Sequence, residues 1–381
     1  MRNFGVLAGI YIHIPFCKQK CTYCDFHFST SFSGYRQEMI RCIARELKQR
    51  SRYLKNKRID TIYFGGGTPS LLLHEELKLL KQVVCENFDV YQNVEITLES
   101  NPDDITEETL KMWKEIGINR LSIGLQSFKK EDLNWMNRAH TVVESMECVT
   151  LAQNAGFKNL SADLIYGLPD LTLGEWKAQL QQLIDLNVPH ISAYCLTIEK
   201  NTAVHNWVSK GRFIPQTDEQ QSKQFMELVE VLEANGYIQY EISNFSKPGL
   251  ESRHNSNYWK GEWYLGVGPS AHSFNGDSRR WNVSNNQKYI DSINTEKEYY
   301  TSEKLSIHDR FNEKLLIGLR TNYGVNLEEL SEIAELSDKF TKQCEGHIEN
   351  GWAEREGDNL FLTKEGKLRA DYIASDLFLE Q

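Results

Sequence analysis

Three cysteines fall within eight residues, in the run FCKQKCTYC, as Cys17, Cys21 and Cys24. On one tight loop this spacing offers three thiolates to a single metal centre. A cubane iron–sulfur cluster takes one thiolate per iron, so three would leave the fourth iron open to an outside ligand. Structural zinc usually takes four protein donors, often as two C-x-x-C pairs, and no second pair follows here. His13 or His27 could complete a Cys3His zinc site, so both chemistries stay open on these residues alone. Ferredoxin-type carriers use four cysteines in a different spacing, which argues against a simple electron carrier.

A second motif follows. Tyr63-Phe64-Gly65-Gly66-Gly67-Thr68-Pro69 closes an apolar run and lacks both the lysine of a P-loop and the G-x-G-x-x-G spacing of a dinucleotide fold. Consecutive glycines let backbone N–H and C=O groups approach a ligand closely. Glu99 and Gln126 close later apolar runs, Asp163 lies within one and Tyr194 within another. Taken singly, Glu99 and Asp163 read as capped or paired strand carboxylates, and Arg138 as an exposed cation beside a helix.

The elements that must hold these groups alternate. β-rich runs occur at Ile10–Pro15, Ile59–Phe64, Val94–Glu99, Arg120–Gln126, Leu160–Tyr166 and His190–Ile198. Helical spacing fills the intervals near Tyr35–Gln49, Glu75–Cys85, Thr106–Ile116, Glu144–Ala155 and Glu175–Leu186. Near-continuous apolar strands between helices predict a parallel sheet. Six strands in about 190 residues are too few for a complete eight-stranded barrel of about 250. Parallel strands bring their C-terminal ends to one face, so the polar groups converge there. Contributions from all six strands favour a curved sheet over a flat one. The expected fold is α/β: an incomplete (β/α)6 TIM-like barrel over residues 1–200, an α/β extension over 201–304, and a winged-helix-like module over 305–381.

Thr217 with Gln220, like Thr172 with Glu175, has the form of a capping box. Tyr237–Phe245 reads as one strand, and a dense aromatic stretch, HNSNYWKGEWYLGVGPSAHSF, runs from His254 to Phe274. The last segment shows three short helices and a hairpin over Trp352–Thr363. Winged helices often bind DNA, yet residues 305–381 hold nine Lys/Arg against 16 Asp/Glu, and the whole chain carries −10. That is the wrong sign for phosphate-backbone binding, so no nucleic-acid partner is expected. No run approaches the ~18 apolar residues of a membrane span. Gly5–Phe16 could imitate a secretory leader, but only Arg2 precedes it and His13 interrupts it. Cysteines then stand where a cleavage site belongs. A buried strand in a cytoplasmic protein is the expectation. Cys42, Cys85, Cys148, Cys195 and Cys344 are scattered and expected to pack as small hydrophobes.

The cysteine triplet beside the glycine loop resembles the radical SAM superfamily, in which S-adenosylmethionine (SAM) chelates the open iron. YIHIPFCKQKCTYCDF, GGGTP, LESNP, LSIGLQSF and DLIYGLP, in this order, resemble the oxygen-independent coproporphyrinogen III oxidase family over nearly the whole chain. The resemblance implies a [4Fe–4S] cluster on Cys17, Cys21 and Cys24. It implies SAM contacts at Tyr11 and Tyr23, with Gly66, Gly67 and Thr68 at the methionine amino end. Glu99, Gln126, Arg138 and Asp163 match further SAM positions, the carboxylates suited to ribose hydroxyls and the arginine to the SAM carboxylate. Ala193 would lie against adenine. Oxidases of this family carry a fourth cysteine two residues after the third, where this chain has Phe26, and a longer lead than the 16 residues before Cys17. Both departures resemble the HemW branch, haem-binding chaperones that deliver haem to respiratory enzymes. His254-Asn255-Ser256-Asn257-Tyr258-Trp259 matches that branch's H-N-x-x-Y-W pattern and implies haem ligation by His254, with His272 a weaker candidate. The alternative is the oxidase itself, converting coproporphyrinogen III to protoporphyrinogen IX by oxidative decarboxylation; catalysis is the less favoured of the two.

Overall fold

The computed structural model describes residues 7–55 and 57–379; Arg2 and Gly5, weighed above as parts of a leader, lie outside them. Six strands come first: β1 (Leu7–Ile14), β2 (Arg58–Gly66), β3 (Val90–Ser100), β4 (Arg120–Gln126), β5 (Asn159–Tyr166) and β6 (His190–Cys195). Each pairs in parallel with the next in chain order. A doubly wound sheet reverses its strand order at a switch point. None exists along this run. Right-handed crossovers therefore put the connecting helices on one face, and the sheet curls as a barrel does. β1 shows the division: Ala8, Ile10, Ile12 and Ile14 are fully buried in the main core, while Tyr11 stacks on Tyr63 of β2 on the other side.

The curl does not close. β7 (Ile238–Glu241) and β8 (Asn244–Ser246) extend the β6 edge antiparallel. β9 (Trp263–Val267) pairs in parallel with the free side of β1. β10 (His272–Phe274), β11 (Ser278–Asn282) and β12 (Tyr300–Lys304) continue that edge antiparallel. The result is one twelve-stranded open sheet, ordered β12-β11-β10-β9-β1-β2-β3-β4-β5-β6-β8-β7. The fold is an incomplete TIM-like barrel with added strands.

Both capping boxes form as expected, at Thr172–Glu175 and Thr217–Gln220. Two expectations need correction. Tyr237–Phe245 is two strands, because Glu241 turns its carboxylate onto the Ser243 N–H and the Asn244 amide and folds the chain back at residues 242–243. Of the five scattered cysteines, Cys42, Cys148 and Cys344 are buried, but Cys85 is exposed and Cys195 half-buried.

The C-terminal segment builds a second core. Helices Ile307–Leu319, Leu327–Ser331 and Asp338–Glu349 pack with β13 (Val325–Asn326), β14 (Ala353–Glu356) and β15 (Asn359–Leu362). Phe311, Leu315, Leu330, Leu360 and Ile373 are its fully buried centre. Helices over a three-stranded antiparallel sheet give the winged-helix-like shape. Among the described residues no helix is long and apolar enough to cross a membrane.

Candidate functional site

A cavity of about 590 Å³ opens at the C-terminal ends of the parallel strands. That is a size suited to a small organic ligand, at the end of the barrel where such sites form. Cys17, Cys21, Tyr23, Cys24, Gly66, Gly67, Thr68, Glu99, Gln126, Arg138 and Asp163 all line it. Eleven of the fourteen expected site residues are thus gathered on one wall.

The cysteine loop leaves β1 and is tied back at its base. Cys17 donates its N–H to the Ser29 carbonyl (3.1 Å), and Ser29 donates to that of Pro15 (2.9 Å). All three thiols are half-buried. The Thr68 hydroxyl donates to Cys17 Sγ (3.4 Å) and Arg138 Nη1 to Cys21 Sγ (3.4 Å). Burial pushes the Cys17 thiol up to about 11 and the Cys24 thiol up to about 12. Thiolates here therefore need a cationic centre beside them. Gly67 is held against this loop: a Cβ there would stand 2.6 Å from the Phe16 oxygen and 3.0 Å from Cys17 Sγ. Gly66 has φ of +110° and would drive a Cβ to 2.7 Å from the His13 ring, so glycine is required on both counts.

Glu99 caps the glycine loop. It accepts from the Gly66 N–H (3.1 Å) and the Tyr63 hydroxyl (2.8 Å). Burial of its carboxyl, with Asp163 nearby, pushes it up to about 7 against those two bonds. Burial likewise pushes Asp163 up to about 6 against weak bonds from the Ser122 and Ser161 hydroxyls. Arg138 Nη2 is fixed by Asn101 Oδ1 (2.6 Å) and the Gly124 carbonyl (2.9 Å). Gln126 takes φ of +69° where β4 slips its register. Left-handed backbone at a non-glycine residue in a cavity wall is held by its surroundings, at a cost of order 1–3 kcal/mol.

Tyr11, Ala193 and His254 are not brought to the cavity wall. Tyr11 packs behind Gly65 and bonds His13 Nδ1 through its hydroxyl (3.2 Å). Ala193 is 2% exposed in the core, and its backbone N–H is spent on the Ser243 carbonyl. His254 sits on a helix, Arg253–Trp259, wedged against the start of β1 and β2. Its Nδ1 meets Thr61 Oγ1 (2.7 Å), its Nε2 meets the Tyr258 hydroxyl (2.9 Å), and its ring stacks on Tyr63. It is a satisfied core histidine in this conformation, and only its neighbour Asn255 reaches the cavity. His272 is exposed and stacks on Trp281. Lining residues that the sequence reading passed over include Asn101, Arg120, Ser122, Ser161, Ser192 and Arg320. Polar residues at alternate strand positions, 120-122 and 161-163, were the available signal.

The donor set fits an iron–sulfur cluster better than zinc. Among the described residues no three His, Cys, Asp or Glu side chains gather around a single-ion position. His13 spends both nitrogens, on Tyr11 and on the His27 carbonyl (2.8 Å), and His27 Nε2 meets Asn286 Oδ1 (2.7 Å). A cluster asks only for one thiolate per iron.

Residues 11–183 match the model of the radical SAM superfamily. Heme chaperone HemW of Bacillus subtilis is 34% identical over 96% of this chain and 98% of its own length. HemW of Escherichia coli is 38% identical over 69% of each chain. A mitochondrial radical S-adenosyl methionine domain-containing protein 1 of Danio rerio is 32% identical over 90% of this chain and 80% of its own. The solved coproporphyrinogen III oxidase HemN of Escherichia coli superposes with a TM-score of 0.85, covering 98% of this chain and 90% of that one, at 20% identity; it shares the fold. Radical SAM membership implies SAM and a [4Fe–4S] cluster. With a third of its residues identical to HemW across almost the full length of both, the chain belongs to the HemW family of the radical SAM superfamily.

Proposed function

We propose that this chain is a haem carrier that holds a [4Fe–4S] cluster and SAM in its cavity, binds haem, and passes it to respiratory acceptor proteins in the cytoplasm. Cys17, Cys21 and Cys24 would hold the cluster, and Gly66, Gly67, Thr68, Glu99, Gln126, Arg138 and Asp163 would hold SAM, with Tyr11, Tyr23 and Ala193 in support. When bound, the cluster would supply an electron source for chemistry on SAM. The chain's own part is placement. Glu99 fixes the glycine loop, Arg138 offers a guanidinium anchored by Asn101, and the tied-back cysteine loop presents three sulfurs.

The observation that carries the carrier reading over the catalytic one is Phe26. It stands where the oxidases have a fourth cysteine, and it is an apolar ring 69% exposed at the cavity mouth. The relatives' names, heme chaperone, agree with it. The domain division at residues 200 and 304 belongs to this proposal, with the acidic C-terminal module as the surface for acceptors.

His254 is the proposed axial ligand. Burial pushes its imidazole down to about 3, so it is neutral at working pH, the form that ligates iron. To reach haem, Nε2 must leave the Tyr258 hydroxyl and the helix must shift. Haem titration of anaerobically reconstituted protein tests this. His254→Ala is expected to weaken haem at least tenfold and shift the Soret band, while Tyr258→Phe frees Nε2 and keeps binding. Unchanged spectra and affinity in His254→Ala remove His254 from the proposal. Anaerobic turnover of coproporphyrinogen III to protoporphyrinogen IX by the same sample would replace carrier with oxidase.

A further inference from the structure

One buried cation keeps two of its three guanidinium nitrogens without a hydrogen bond. Arg120 opens β4, is 1% exposed and lines the cavity. Its Nε and Nη2 have no hydrogen-bond partner, and among the described residues it forms no ion pair. Guanidinium does not give up its proton in proteins. A charge held in a protein interior without bonded partners is costly. The β4–β5 register explains where the field goes. Ser122 lies opposite Ser161, and Gly124 opposite Asp163, so Arg120 sits on the inward side below Asp163. Ser122 and Ser161 form the layer between, and Ser192 stands level with Asp163; Ser161 Oγ is bonded to Ser192 Oγ (3.1 Å) and to His190 Nδ1 (2.7 Å).

We propose that Arg120 is a positioning residue for SAM: its fixed positive charge keeps Asp163 ionised, so that the carboxylate can accept from the ribose hydroxyls. This rests on the SAM site proposed above. The groups around Asp163 are Tyr63 of β2, Glu99 of β3, Arg120 of β4, and His190 and Tyr194 of β6. Tyr240 of β7 and His254 of the wedge helix face Arg120, and Glu241 of β7 faces Tyr194 and Tyr240. The histidines are neutral in this burial and the tyrosines protonated. Glu99 acts against ionisation of Asp163, and Arg120 is the cation that acts for it. Burial raises both carboxyls, and on Asp163 the Ser192 hydroxyl and the Arg120 charge act against that rise.

The test is SAM affinity of cluster-loaded protein by anaerobic calorimetry between pH 6 and 9, for wild type, Arg120→Met and Arg120→Lys. Removing a neighbouring opposite charge raises a carboxylate by about 1–3 units, which would take Asp163 from about 6 to about 8. At pH 7 Arg120→Met should then bind SAM about tenfold more weakly than wild type, and by pH 9 the ratio should shrink below about twofold. Arg120→Lys should stay near wild type throughout. A loss of equal size at every pH, or no loss, overturns the proposal. Arg120→Gln carries the same expectation where methionine is not tolerated. Failure of wild type to bind SAM at any pH would instead remove the underlying site, an outcome distinct from either.

Discussion

Gly67→Ala should break the joint between the glycine loop and the cysteine loop. The new methyl would stand 2.6 Å from the Phe16 oxygen, 2.9 Å from that of Ile14 and 3.0 Å from Cys17 Sγ. Two of these three are backbone atoms, which cannot rotate aside. The same oxygens accept the Thr68 and Gly67 N–H groups, at 2.6 and 2.8 Å. Relief by movement therefore strains bonds that fix Cys17. Overpacking of this kind costs about 1–3 kcal/mol, and a weakened backbone bond adds about 0.5–1.5. A total of about 2–4 kcal/mol is expected in guanidinium unfolding of the cluster-free chain. Iron and sulfide per chain after anaerobic reconstitution should fall with it, because the first thiol is displaced. Gly346→Ala is the control. That glycine lies inside helix Asp338–Glu349 with open space around its Cβ direction, so alanine there should stabilise by about 0.5–1 kcal/mol. If Gly67→Ala unfolds within about 0.5 kcal/mol of wild type and takes up full iron, the close packing described here is wrong.

Serine at Cys17, Cys21 or Cys24 should each abolish the visible charge-transfer band of the reconstituted protein, whereas serine at Cys42 or Cys148 should keep it and lower the melting temperature. Glu99 is raised from 4.5 to about 7, so the folded state holds an extra proton between those values and loses stability as pH rises through that window. Glu99→Gln removes this loss. Relative to wild type it should gain about 2 kcal/mol in urea unfolding between pH 5 and 8, allowing for cavity water, and a constant difference would contradict it. Gln126→Gly relieves a left-handed backbone and should stabilise by about 1 kcal/mol while weakening SAM in the same calorimetric assay; tighter SAM binding would sink that role.

The chemistry-bearing residues were legible where residue type and position coincide. A cysteine triplet after an apolar strand, three glycines after the next, and carboxylates along later ones have few other meanings together. Burial and partnering were not legible. Arg120 at the head of an apolar strand reads as a flanking cation, and only the register of β4 on β5 turns it inward. Ala193 could have been placed by alternation, since Ser192 and Tyr194 face the cavity and the residue between them must face away. His254 and Tyr258 are four apart, the spacing that brings two side chains together on a helix. Read as an aromatic stretch, the segment hid that helix, and with it the reason both ring nitrogens are occupied.

The seat of β1 between β2 and β9 has a consequence in time. β2 follows β1 closely, but β9 lies about 250 residues further along. At 5–20 residues per second of synthesis, roughly 10–50 s pass before the second neighbour exists. Through that interval the strand carrying the cysteine loop is an edge strand, with unpaired N–H and C=O groups open to wrong partners. Metal loading during synthesis would meet a half-built seat; loading after release would meet a finished one.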